Sequence, residues 1–67
     1  MKVRVNSEKY ELNDGDRVIA LLKRLDLEGK KGFAVAVNAE VVPRSRWSDF
    51  LLHEEDEIII ISAAQGG

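Results

Sequence analysis

Chemistry in this chain cannot rest on cysteine, because there is none. That removes thiol nucleophiles, disulfide exchange and cysteine-ligated zinc together. The single histidine, His53, stands beside Glu54 and Glu55. A metal reading needs converging ligands, and a catalytic reading needs a nucleophile nearby. A solvated residue before a turn needs neither, and His53 is read that way. Asp14-Gly15-Asp16 hints at calcium but lacks the spaced oxygen ligands and closing glutamate of a calcium loop. It reads as a turn with a helix cap. Gly29-Lys30-Lys31-Gly32 lacks the spacing and the Ser/Thr of a phosphate-binding loop. It reads as a solvated connector.

The terminal pair Gly66-Gly67 remains. Two readings are open for it. One is a frayed run of small residues. The other is a working terminus. Glycine has no Cβ, so such a tail can adopt extended conformations closed to other residues and pass through a narrow channel. The terminal carboxylate is then sterically open. With a reference pKa of roughly 3.3–3.7 it is ionised at neutral pH. A carboxylate resists nucleophiles, so its transfer chemistry must begin with a mixed anhydride such as an acyl-adenylate.

The elements that position this terminus follow from the rest of the pattern. With 67 residues the chain is one domain, and apolar packing from a 45% hydrophobic composition must stabilise it. Ten basic residues face twelve acidic ones, so there is little drive toward nucleic acid or an anionic membrane. A partner is expected to be a protein. No apolar leader opens the chain, and Ile58 to Ile61 is too short to span a bilayer. The expected location is cytoplasmic.

Lys2 to Asn6 alternates polar and apolar residues, the period of a half-buried strand. After the turn formers Asn6-Ser7, Tyr10 to Leu12 reads as its hairpin partner. Asp14 or Asp16 is expected to cap the next helix, over Arg17 to Leu25. Val18, Leu21, Leu22 and Leu25 form its apolar face, and Lys23 and Arg24 suit its C-terminal dipole. Phe33 to Asn38 alternates large and small residues. Phe33, Val35 and Val37 lie on one face, Ala34, Ala36 and Asn38 on the other. Asn38-Ala39-Glu40 turns the chain into Val41-Val42, and Pro43 ends that strand or leaves it at an edge. Trp47, Phe50 and Leu51 have the spacing of a short helical turn, with Trp47 as a packing anchor and Arg44 as a surface residue. Glu57 to Ser62 reads as a central strand with apolar contacts on both sides. The result is an α+β roll with a domain over residues 1–62 and a mobile tail over 63–67.

The stretch from Ala36 through Asn38, Val42, Pro43 and Arg44 to Trp47 resembles the middle motif of the thiamine-biosynthesis sulfur carriers, the ThiS family. The acidic turn Glu55-Asp56, the strand Ile58 to Ile61 and Gly66-Gly67 resemble that family's end. The hairpin, the Asp14-Gly15 turn and the following helix resemble its beginning, so the likeness spans the chain. Gln65 departs from it, standing where a small apolar residue is common.

The resemblance implies a ubiquitin-like β-grasp roll, a mixed sheet of about five strands on one helix. It implies that Gly67 is adenylated, then converted to a thiocarboxylate that donates sulfur for the thiazole of thiamine, while Gly66 and Gln65 thread the partner's channel. The implied partners are a ubiquitin-activating-type adenylating enzyme (ThiF-like), a persulfide sulfur donor and thiazole synthase (ThiG-like). The chain itself is a co-substrate that binds no cofactor or metal; ATP and magnesium belong to the activating enzyme. Likeness to ubiquitin-like proteins also sets the parity of the last strand. Ile58 and Ile60 join Val3, Val5, Leu21, Leu22, Leu25, Val35 and Val37 in the core, and Ile59 and Ile61 project from the open face to dock partners. Alternatives are sulfur delivery to molybdopterin or to tRNA thiolation, a protein modifier conjugated through Gly67, and an interaction domain with an inert tail.

Overall fold

The computed structural model describes residues 1–62. The expected tail, with Gln65, Gly66 and Gly67, lies outside the described residues. The elements in chain order are β1 (Lys2–Val5), β2 (Glu8–Glu11), α1 (Val18–Arg24), β3 (Phe33–Val37), β4 (Glu40–Val42), a 3-10 turn (Arg44–Arg46) and β5 (Glu57–Ser62).

The five strands form one mixed sheet in the order β2-β1-β5-β3-β4. β1 and β5 run parallel at its centre, with Val5 opposite Ile58, and the remaining pairs are antiparallel. Two hairpins flank the centre, and each turns on two residues of positive φ. These are Asn6 (50°) with Ser7 (73°), and Asn38 (51°) with Ala39 (71°). That sense of turn matches the right-handed twist of the strands it joins. Asparagine tolerates it; Ser7 and Ala39 stand where glycine fits best.

Helix α1 lies on one face of the sheet. Its Val18, Leu21 and Leu22 are fully enclosed and meet Val3, Val5, Val35, Val37 and Ile58. Leu12, Val42, Trp47 and Leu52 complete the core, and Leu25 and Ile60, both half-buried, pack at its margin. Each enclosed Val, Leu or Ile contributes about 1.5–3 kcal/mol relative to exposure.

The helix begins differently from expectation. Neither Asp14 nor Asp16 caps it: the N-cap is Arg17, with no side-chain cap hydrogen bond. The Asp16 carboxylate instead accepts the Asn13 N–H at 3.0 Å, and Asp14 lies 3.3 Å from the Met1 ammonium. The first helical N–H groups are answered from far along the chain. Val18 donates to the Phe50 carbonyl at 3.0 Å and Ile19 to that of Trp47 at 2.9 Å. Backbone carbonyls thus satisfy donors that a capping side chain usually serves. The same bonds explain why the segment after Pro43 forms only three residues of 3-10 helix. Its next carbonyls are committed to α1, and Leu51 bridges to Arg17. The Met1 ammonium also donates to the Leu12 carbonyl. Burial pushes its pKa down, but hydrogen bonds and attraction from Asp14 and Glu11 outweigh this and leave it raised.

Candidate functional site

Side chains alternate along β5, so only every second isoleucine can face the helix. Ile58 is enclosed in the core and Ile60 packs at its edge. Ile59 and Ile61 therefore project from the open face, as the expected parity has them. Ile59 is half-buried and Ile61 is 53% exposed. Register extends this face sideways. Ile61 lies opposite Ala34, Ile59 opposite Ala36, and Ala36 opposite Val41, which is 68% exposed. Ala34 is exposed on this face, whereas Ala36 is buried within it. At its tail-side end Gly32, Phe33, Ala34 and Ile61 line a groove of about 380 Å³. An exposed apolar patch of this kind is a candidate interaction surface.

Val41 did not stand out in the sequence. The signal for it was the Ala34-Ala36 face of β3, because β4 pairs with β3 and so must present Val41 beside Ala36. Beyond β5 the open face turns polar. Arg4 lies 3.8 Å from Glu57, a loose exposed pair, and Lys2, Arg4, Lys9 and Glu55 border a separate cleft of about 220 Å³.

β5 is held along its length by side chains as well as by strands. Where β1 has ended, the Asn6 amide takes its place: Oδ1 accepts the Ile60 N–H at 2.9 Å, and Nδ2 donates to the Ile60 carbonyl at 3.4 Å. At the other end Asn38 Nδ2 donates to Asp56 Oδ1 at 2.9 Å, and Asn38 Oδ1 accepts the Glu57 N–H at 2.9 Å. Asp56 is buried, and its second oxygen accepts the His53 N–H at 2.8 Å. Asn38 and Asp56 were visible as separate parts of the motif; their pairing across the fold was not.

Trp47 is the packing anchor it was expected to be. It is buried, its Nε1 donates to the Val42 carbonyl at 2.9 Å, and its ring stacks on Phe33 with centroids 5.3 Å apart. Arg44 is exposed but held. Its guanidinium lies 4.8 Å from the Trp47 ring centroid and donates to the Lys30 carbonyl at 3.0 Å. His53 is exposed, and among the described residues no three or more His, Asp or Glu gather as metal ligands. No described helix is long and apolar enough to cross a membrane.

One helix over a five-stranded mixed sheet with a central parallel pair, and an apolar patch on the uncovered side, defines a ubiquitin-like β-grasp protein. Residues 3–67 match the ThiS family. The sulfur carrier protein ThiS of Escherichia coli (strain K12) is 30% identical over 67 residues, covering 100% of both chains. The crystal structure of a thiamine biosynthesis protein (ThiS) from Geobacter metallireducens has the same fold, with a TM-score of 0.84, 22% identity and 100% coverage of each chain. The chain belongs to the ThiS family of sulfur carrier proteins.

Proposed function

We propose that this protein carries sulfur on the carboxylate of Gly67 and delivers it for thiazole formation in thiamine biosynthesis. The observation that carries this reading is the family match, which runs through Gly67 itself. The chemistry starts from an ionised carboxylate. In the activating enzyme a Gly67 oxygen attacks the α-phosphorus of magnesium-bound ATP, and pyrophosphate leaves. The outer sulfur of a persulfide donor then attacks the acyl carbon, and AMP departs with the bonding pair. A thiol releases the thiocarboxylate by attacking the donor's inner sulfur. Thiazole synthase receives sulfur from that group. The protein acts as a co-substrate in the cytoplasm and supplies no catalytic side chain of its own.

The open face supports this reading from the structural side. Ile59 and Ile61, joined by Ala34, Ala36 and Val41, give the adenylating enzyme and thiazole synthase an apolar surface beside the end of β5. Gln65 and Gly66 thread the channel between that surface and the reacting carbon. Docking so close to the reactive segment makes the chemical step effectively intramolecular.

The test adds one residue after Gly67. Native and extended proteins are incubated with the activating enzyme, ATP, magnesium and a sulfur source. Intact mass should show oxygen replaced by sulfur in the native protein only. The addition turns the Gly67 carboxylate into an amide while leaving residues 1–62 untouched. Sulfur gained by an untrimmed extended protein would refute the assignment.

A further inference from the structure

The Pro43-Arg44 and Trp47 motif has no part in the transfer chemistry above, yet its contacts lead to the root of the reacting segment. Arg44 lies over the Trp47 ring and donates to the Lys30 carbonyl, which ties down the loop before β3. Trp47 is fixed to β4 through Val42 and stacks on Phe33. Phe33 opens β3 and lies opposite Ser62, the last residue of β5; the next rung pairs Ala34 with Ile61. On the other side of β5, the Asn6 amide reaches only as far as Ile60. The final two residues of β5 therefore depend on the start of β3, and the start of β3 depends on the ring that Arg44 covers.

We propose that Arg44 is a positioning residue for sulfur loading. Through Trp47 and Phe33 it keeps Ile61 and Ser62 paired, and so sets how many residues separate the sheet from Gly67. The proposal rests on the Gly67 reading. Five residues follow Ser62, a reach of about 16–18 Å when extended. Unpairing Ile61 and Ser62 adds about 7 Å of slack. A longer tether spreads the carboxylate over a larger volume and lowers its effective concentration at the nucleotide. Docking through Ile59 and Val41 is spared, so the loss falls on turnover rather than on binding.

The experiment measures pyrophosphate release by the activating enzyme with native, Arg44→Ala and Arg44→Lys proteins, together with amide exchange at Ile61 and Val5. For Arg44→Ala, kcat should fall about two- to fivefold, the size of an exposed cation–π contact, with KM for the carrier changed by less than about twofold. Exchange should quicken at Ile61 and hold at Val5. Arg44→Lys should recover most of the turnover, because an ammonium can still sit over the ring and donate to Lys30. Unchanged kcat in Arg44→Ala overturns the proposal. So does a raised KM for ATP, which would put the guanidinium on the nucleotide, or exchange that quickens equally at Val5, which would reduce its role to general stability. Inactive native protein would instead sink the Gly67 reading, and exchange at Ile61 would still decide whether Arg44 holds the end of β5.

Discussion

On the covered side of β5, Ile58 is fully enclosed, while on the open side Ile61 keeps 53% of its surface exposed. The two residues are chemically identical and stand three positions apart in one strand. Ile58 meets α1 and the flanking valines; Ile61 pairs with Ala34 and lines the edge of a groove. Apolar character therefore does two different jobs here, and the pleat of the strand assigns them. The inward set stabilises the fold. The outward set is surface that a partner can bury.

Breaking the covered face should have the largest effect. Ile58→Ala and Leu22→Ala remove enclosed side chains, and each should cost about 2–5 kcal/mol in denaturant unfolding. A loss below 1 kcal/mol, on the order of an ordinary surface change, would contradict the core described here. The open face should respond in binding. Ile59→Asp or Val41→Asp should weaken affinity for the activating enzyme by about tenfold or more, roughly 1.4 kcal/mol, with the folded spectrum retained. Unchanged affinity would remove docking from this face. Unfolding of Ile59→Asp would reverse the parity of β5.

The hairpin between β3 and β4 serves both faces, since it sends Val35 and Val42 inward and Ala36 and Val41 outward. Ala39 sits in its turn at φ 71°. Ala39→Gly should relieve that strain at some cost in unfolded-chain entropy, a net gain of about 0.5–1 kcal/mol. Thermal unfolding would measure the gain, and partner affinity should not move. The smallest effect belongs to Ile61→Ala, whose stability should stay within about 0.5 kcal/mol of native. A core-sized loss there would erase the distinction between the faces.

Local pattern carried the strands and the helix, while the parity of β5 came from the likeness to ubiquitin-like proteins. The i, i+3, i+4, i+7 spacing from Val18 to Leu25 and the alternation in β1 and β3 reflect burial by elements whose periods are fixed. The helix cap was misread because a turn acid beside an apolar stripe is normally the nearest acceptor. Here the carbonyls of Trp47 and Phe50 arrive from across the fold and serve first. Asp56 read as part of an acidic turn, and its pairing depends on Asn38 brought in by another hairpin. Val41 belonged to the site through strand register, which a single strand's composition does not reveal. The resemblance supplied the role proposed for Gly67; its residue type alone left a frayed end equally open.

The central pairing of β1 with β5 also shapes how the molecule comes into being. Val5 must find Ile58, nearly the whole described chain away, before the sheet has a middle. The β1-β2 and β3-β4 hairpins can form early from local sequence, but they remain two separate halves until β5 slots between them. A fold with its last strand at the centre closes late, because the entropy of joining distant segments is spent before their contacts form. A chain interrupted before β5 lacks the seam that joins its halves, and it also lacks Ile59 and Ile61.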